Sequence, residues 1–263
     1  MIIRRRFMSL AATSGLLLCA ALSTAACSQG VGGSKRYPDY RYRLTVEVDT
    51  PDGVRSGSSV IEVSTWVSGE YSLQPGKVSS RVRGEAVTID LGQRGVMFAL
   101  LRSEYSVDWA GGALMSATKP VTYDEAKAAG LTPDYNPSFE MGMQRMMALR
   151  ERHDIPRHVN NVFARAEASR NGGKLPSFYP IMVTFGDIAD PKSVTKLDPD
   201  NLAVRFGKGV KLKRITVELT TDEVTTGIEK KLVWLSDLKK YQKDPNNIFT
   251  STLPSEIGYL RRK

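Results

Sequence analysis

Tyr42-Arg43-Leu44-Thr45-Val46-Glu47-Val48-Asp49 alternates between apolar and polar side chains. A period of two is typical of a β-strand that turns one face to the core and the other to solvent. Pro51-Asp52-Gly53 follows, and these residue types favour a tight turn. The segment Val54 to Val63 is therefore predicted to return as an antiparallel partner strand.

Further strands are predicted at Val78 to Leu91 and at Val96 to Leu101. Four consecutive strands with short connections favour an antiparallel meander. Two later strands are predicted at Phe178 to Phe185 and at Val210 to Thr220. In the last strand the apolar positions change parity near Lys213-Arg214, which predicts a β-bulge there.

Between these strands, residues 108–173 have helical character. Thr122 and Glu125 have the spacing of a capping box for a short helix that ends at Gly130. A second helix is predicted after Asn136-Pro137, and a third from His158 to Ser169. The second places four apolar residues on one face, namely Phe139, Met143, Met146 and Met147. The predicted fold class is α+β and β-rich: an antiparallel meander sheet with a helical insertion packed against it.

The first 26 residues have the organisation of a secretory signal. Three arginines, Arg4 to Arg6, are followed by an apolar stretch from Phe7 to Leu22. Polar residues interrupt this stretch, and it falls short of the roughly 20 strongly apolar residues of a membrane-spanning helix. The small residues Ala25 and Ala26 come directly before Cys27.

This segment resembles the bacterial lipoprotein signal, in which small residues precede a cysteine that receives lipid. Thr24 stands where that signal usually has leucine. The resemblance implies cleavage before Cys27 and attachment of the mature chain to a membrane through palmitate or a similar acyl chain on that residue. Ser28 and Gln29 follow in place of the aspartate associated with inner-membrane retention in enteric bacteria. We therefore expect a lipoprotein of the outer membrane that faces the periplasm.

Removal of the signal changes the charge and the cysteine content. The signal holds three of the 37 basic residues and none of the 28 acidic ones, so the net charge falls from +9 to +6. We expect no nucleic-acid partner, because no basic segment interleaved with aromatic residues is present. Cys19 would leave with the signal and Cys27 would carry lipid, so no thiol remains for a disulfide, a metal site or a nucleophile.

The mature chain divides by composition into three parts. Residues 27–38 are glycine-rich at first and are predicted as a flexible tether. Residues 39–238 are predicted as a single α+β domain, and residues 239–263 as a basic, loosely ordered tail. Beyond the glycine-rich stretch, four cations would face the lipid headgroups first, namely Lys35, Arg36, Arg41 and Arg43.

Four segments also resemble an uncharacterised group of proteobacterial proteins without an assigned activity. The segments are Tyr42 to Val48, Gly57 to Val63, Gly209 to Glu218 and Thr225 to Lys230. The resemblance implies a Gram-negative source and supplies no site residues.

Few residues point to catalysis or to a metal. His153 and His158 flank Asp154 and could supply metal ligands, but Pro156 between them breaks the helical spacing that would align them. We therefore expect neither a metal nor a cofactor. Ser58 and Ser59 lie in a predicted strand, which is a poor position for an exposed nucleophile. Acidic residues near Thr122 are explained by the helix start.

Two functions remain open on the sequence. The first is a lipid-anchored envelope protein that binds or organises a partner, such as another envelope protein, without catalysis. The second is an envelope hydrolase that acts on glycan, lipid or peptide through carboxylates. Paired catalytic carboxylates usually come from distant parts of a chain, so their spacing in the sequence does not reveal them.

Overall fold

The computed structural model describes residues 33–130, 137–159, 162–170, 172–244, 247–251 and 253–262. The predicted signal, the predicted lipidation site Cys27 and the predicted helix cap Asn136 lie outside these residues. The strands are β1 (Lys35–Arg36), β2 (Tyr40–Thr50), β3 (Gly53–Val67), β4 (Val78–Glu85), β5 (Val87–Asp90), β6 (Val96–Ser103), β7 (His153–Asp154), β8 (Pro180–Phe185), β9 (Val194–Leu197), β10 (Lys211–Leu219), β11 (Gln242–Asp244), β12 (Asn247–Ser251) and β13 (Arg261–Arg262).

The α-helices are α1 (Trp109–Gly112), α2 (Tyr123–Ala128), α3 (Pro137–Met147), α4 (Val162–Arg170) and α5 (Ala203–Phe206). Short 3₁₀ segments occupy Gly92–Arg94, Met115–Ala117, Pro191–Ser193, Ile228–Lys230, Val233–Tyr241 and Ser255–Tyr259. The described chain is thus α+β and rich in strand, as the sequence predicts.

Two antiparallel sheets form the framework. The first has the order β13-β4-β3-β2-β10-β7, with β1 paired to β3, and the second has the order β5-β6-β8-β9. The predicted hairpin is confirmed, because β2 and β3 pair from Tyr40 opposite Val63 to Thr50 opposite Gly53. A separate small ladder joins β11 and β12.

The strand predicted from Val78 to Leu91 is divided between the two sheets. β4 pairs with β3 in the first sheet, whereas β5 pairs with β6 in the second. At the change of sheet β5 crosses the inner face of β3 at Gly57. A β-carbon built on Gly57 would lie 2.1 Å from the carbonyl oxygen of Thr88, so this crossing has room only for glycine.

The second sheet lies between two apolar clusters. Along β6, Met97, Ala99 and Leu101 face the first sheet and join the larger cluster with Tyr42, Leu44 and Val46 of β2. The alternate residues Phe98 and Leu100 face away and join a second cluster. That second cluster is completed by residues from the end of the chain, namely Ile228, Leu232, Trp234, Leu235, Ile257 and Leu260.

The helical insertion packs against the larger cluster. Met143 and Met146 of α3 are buried there, while Met147, predicted on the same face, is exposed. The capping box of α2 is confirmed: Thr122 Oγ1 accepts a bond from Glu125 N at 3.2 Å, and Thr122 N donates to Glu125 Oε2 at 2.9 Å. The insertion also contributes β7, which pairs with β10 at the edge of the first sheet.

The bulge in β10 is confirmed. The pairing with β2 changes register between Leu212 and Arg214. This shift lets Ile215 and Val217 turn to the core even though Leu212 before the bulge has the opposite parity.

Two predicted boundaries are wrong. The last part of the supposed tail belongs to the fold, because β13 pairs with β4 and both Ile257 and Leu260 are buried. Its sequence is polar, but these two apolar side chains cover the second sheet. The supposed tether ends before Lys35, because β1 pairs with the end of β3.

Replacing Gly57 with alanine is expected to destabilise the fold by about 3 kcal/mol, because the new methyl group meets a backbone oxygen that cannot move without disturbing both sheets. Urea unfolding at neutral pH measures the change. Gly258→Ala is the matched control: a β-carbon there would meet nothing within 4 Å, so its effect should stay within about 0.5 kcal/mol. Equal stability of the two variants would contradict this account of the crossing.

Candidate functional site

Charged side chains gather in a cleft where β4 turns away from β3. The cleft has a volume of about 600 Å³ and is lined by Arg41, Arg83, Gly84, Glu85, Glu223, Val224, Thr225, Thr226, Glu229, Arg261 and Arg262. We call it the arginine cleft. Its cations come from β2, β4 and β13. The first sheet brings them together, because β13 pairs with β4 and only β3 lies between β4 and β2.

The segment 222–228 forms one wall of the arginine cleft. It lies along the edge of β3 from which β4 has turned away: Val60 N donates to Thr225 Oγ1 at 2.8 Å, and Thr225 N donates to Val60 O at 3.1 Å. Arg41 Nη1 donates to Asp222 O at 3.3 Å and fixes the start of the segment. A single stretch of chain thus satisfies backbone groups that the departing strand leaves exposed.

Glu85, the last residue of β4, fixes the other end of this wall. Its two carboxylate oxygens accept bonds from Gly227 N at 3.1 Å and Ile228 N at 2.9 Å. Gly227 has a φ of +109°, a left-handed conformation that suits glycine, and it precedes the 3₁₀ turn Ile228–Lys230. Only 3% of Glu85 is exposed, so it joins two elements from inside the protein.

The environment of Glu85 changes its acidity. Burial raises the pKa of its carboxyl, the two backbone N–H bonds oppose that rise, and the nearby carboxylate of Glu229 adds to it. Glu229 Oε1 in turn accepts a bond from Arg261 Nη1 at 3.0 Å. The cleft therefore contains two neighbouring carboxyl groups, one of which holds its proton to higher pH than usual.

The remaining arginines of the cleft are partly paired. Arg41 Nε and Arg83 Nη2 bind the two oxygens of Glu62 at 2.7 Å and 2.9 Å. Arg262 stacks on the ring of Tyr259, with 5.0 Å from its guanidinium carbon to the ring centroid, and donates to Val107 O. A guanidinium has five N–H donors, so these contacts leave further donors available to a ligand.

Beyond the arginine cleft, an ion network covers the outer face of the first sheet. Arg214 holds Glu47 through two bonds of 2.9 Å, and Arg152 binds Glu218 at 3.2 Å. Arg43 contacts both Glu218 and Asp222. Arg43 takes part in this network, and Arg41 lines the cleft.

The two histidines lie in different surroundings. His153 is in β7 opposite Val217, whereas His158 lines a second cleft of about 710 Å³ together with Arg157, Asp198 and Asp200. His158 Nδ1 lies 3.1 Å from Pro176 O, and since a carbonyl only accepts, Nδ1 is the donor. The Arg157 guanidinium, which binds the Asp200 carboxylate, is the main cause of the lowered pKa of Asp200.

Other residues considered from the sequence have structural roles. Ser59 is buried and donates to Glu85 O at 2.7 Å. The pKa of Glu125 is lowered chiefly by the backbone N–H of Thr122, as expected for a capping carboxylate. Sequence reasoning did not place Glu85 and the four arginines in one site, because their proximity arises only through the pairing of β2, β3, β4 and β13.

No family model, curated protein or solved structure matches this chain. Among the described residues, no group of three or more His, Cys, Asp or Glu side chains could hold a metal ion. In the same part of the chain, no helix has both the length and the hydrophobicity that crossing a membrane requires.

Glu85 and Glu47 are expected to affect stability with opposite pH dependence. The folded state holds the Glu85 proton above the ordinary pKa of 4.5, so the stability advantage of the native protein over Glu85→Gln should fall as pH rises through the raised pKa. The Arg214 hydrogen bonds lower the pKa of Glu47. The stability advantage of the native protein over Glu47→Gln should therefore be fully present above pH 4.5, the ordinary pKa, and should decline at lower pH.

Urea unfolding of the three proteins between about pH 3 and pH 8 measures both differences. Each variant serves as the control for the other, because global effects of pH act on both. Parallel curves for the two variants would contradict the assigned environments.

Proposed function

We propose that this protein is a lipid-anchored protein of the bacterial envelope that binds an anionic ligand in the arginine cleft without transforming it. The sequence around Cys27 supports the anchor, and with it attachment to the outer membrane on the periplasmic side. The convergence of four arginines in one cleft supports the ligand class, since guanidinium groups bind carboxylate and phosphate groups through paired N–H donors.

The arginine cleft favours binding over catalysis because of how its acids are held. A general acid must come within hydrogen-bonding distance of its substrate. Glu85 is buried and both of its oxygens accept main-chain bonds, while Glu229 is held by Arg261. These acids stabilise the wall of the cleft and position the arginine beside it.

An envelope hydrolase is the second candidate. It is favoured by one observation, the raised pKa of Glu85 beside a second carboxyl in a cleft. A hydrolase would lose turnover on envelope glycan, lipid or peptide in the Glu85→Gln variant while remaining folded. Absence of such turnover in the native protein would remove this candidate, and turnover retained in Glu85→Gln would exclude Glu85 as the catalytic acid.

Cys27→Ser is expected to abolish incorporation of labelled palmitate and to release the protein from membranes. Cys19→Ser is the matched control, because residue 19 lies in the segment expected to be removed. In sucrose gradients the native protein should sediment with outer-membrane markers. Palmitate in the Cys27→Ser variant would show that the anchor is elsewhere.

Arg83→Ala is expected to weaken binding of inorganic phosphate by about tenfold, because it removes a charge-assisted donor from the cleft. Glu62 keeps Arg41 as its partner in this variant, so little stability should be lost. The measurement is the rise in melting temperature on titration with phosphate, against chloride at equal ionic strength.

Arg205→Ala is the control for this experiment, since Arg205 is exposed on α5 and does not line the cleft. It should retain the full phosphate response. If chloride raises the melting temperature of the native protein as much as phosphate does, a specific anion site is refuted.

A further inference from the structure

The connection between β3 and β4, residues 68–77, exposes two large apolar side chains. Tyr71 is 89% exposed and Leu73 is 104% exposed, the two highest values among large apolar residues in the part of the chain that the structure describes. We call this connection the hairpin tip. Two such exposed side chains two positions apart in one short connection mark a surface that suits an apolar contact.

The hairpin tip is a defined structure. Ser68 N donates to Lys77 O at 2.9 Å and Gly76 N donates to Ser68 O at 3.0 Å, which closes the base of the tip. Ser72 N donates to Gly69 O at 3.1 Å and forms a turn around Tyr71. These bonds hold the backbone that carries Tyr71 and Leu73 at the outer end of the hairpin.

The first described residues, Gly33 and Ser34, lie at this same end of the fold. β1 is antiparallel to β3, with Lys35 opposite Val67, so the chain before Lys35 continues toward the hairpin tip. Gly33 confirms this direction, because a β-carbon built on it would lie 3.9 Å from the Cα of Gly69. Five residues separate Gly33 from Cys27, a reach of at most about 22 Å.

The charges around the hairpin tip balance one another. Lys35 pairs with Glu140 at 2.7 Å and Arg36 lies 4.0 Å from Asp39. The tip itself carries one acid and one base, Glu70 and Lys77. Attraction to a charged partner is therefore small, and the apolar side chains would dominate any contact.

We infer that the hairpin tip rests on the lipid bilayer, with Tyr71 and Leu73 at the boundary between headgroups and acyl chains. The inference rests on the proposed acylation of Cys27, which would keep the tip within a short chain length of the lipid. A tyrosine and a leucine suit this boundary, because the tyrosine ring ends in a polar hydroxyl and the leucine side chain is fully apolar. The contact would set the orientation of the domain, while the acyl chains hold it to the membrane.

Depth-dependent fluorescence tests this contact in the full chain. Leu73→Cys and Val204→Cys proteins are expressed with their signal, purified from membranes, labelled with a polarity-sensitive dye and reconstituted in phosphatidylethanolamine–phosphatidylglycerol vesicles. Val204 is the control, because it is 81% exposed on α5. α5 lies at the opposite end of β3, where Arg94 joins Phe206 and Asp52.

The dye at position 73 should shift its emission to shorter wavelength in vesicles and become about threefold less accessible to iodide, as a group at the headgroup boundary would. The dye at position 204 should not change. Because the contact is apolar, 1 M salt should leave the result unaltered. Thermal melting of both labelled proteins checks that they are folded.

Mass spectrometry of the same samples separates the two proposals. Acylated Cys27 with an iodide-accessible dye at position 73 would overturn the membrane contact and leave the anchor intact. Shielding of position 73 in whole cells but not in vesicles would also overturn it, because the tip would then cover another macromolecule. A Cys27 without lipid would refute the anchor, and the membrane contact with it.

Discussion

The close crossing of β5 over Gly57 is the constraint on which the architecture depends. The absence of a side chain at Gly57 lets the backbone of Thr88 lie against β3, so that the chain can pass from the first sheet to the second within the few residues after Glu85. Two antiparallel sheets then share one apolar core, and the second sheet presents its other face to the end of the chain. A bulkier residue at this point would force the sheets apart and open that core.

The crossing also creates the arginine cleft. When β4 leaves β3, the edge of β3 near Val60 needs new hydrogen-bond partners, and the segment 222–228 provides them. Glu85 is at the point of departure and is buried there, so its carboxylate can bind the backbone of that segment from inside. The cleft is thus a consequence of the change of sheet, and Glu85 stabilises its wall for the same reason.

Local pattern accounts for the parts of the fold that were predicted correctly. The alternation in β2, the change of parity at Lys213-Arg214 and the Thr122–Glu125 capping box each depend on neighbouring residues. The division of Val78 to Leu91 depends instead on contacts with β3 and β6, since the sequence of both halves is typical of a strand.

The prediction for the C-terminal segment is wrong because Ile257 and Leu260, two apolar residues among polar ones, contribute little to periodicity, although both are buried in the fold. The cleft was missed because its residues meet only through strand pairing.

The first sheet links the proposed membrane contact to the proposed binding site. β3 runs as one continuous strand from Gly53 to Val67, and it carries the hairpin tip at its end and the wall of the arginine cleft at Val60. Seven residues of strand separate these points, a distance of roughly 20 Å. A hairpin tip fixed on the bilayer would therefore hold the cleft roughly 20 Å above the headgroups. At that height the cleft could reach anionic groups that extend from the membrane or the adjoining cell wall. Anchoring by acyl chains alone would leave the domain free to rotate, and the cleft would sample every height that the tether allows.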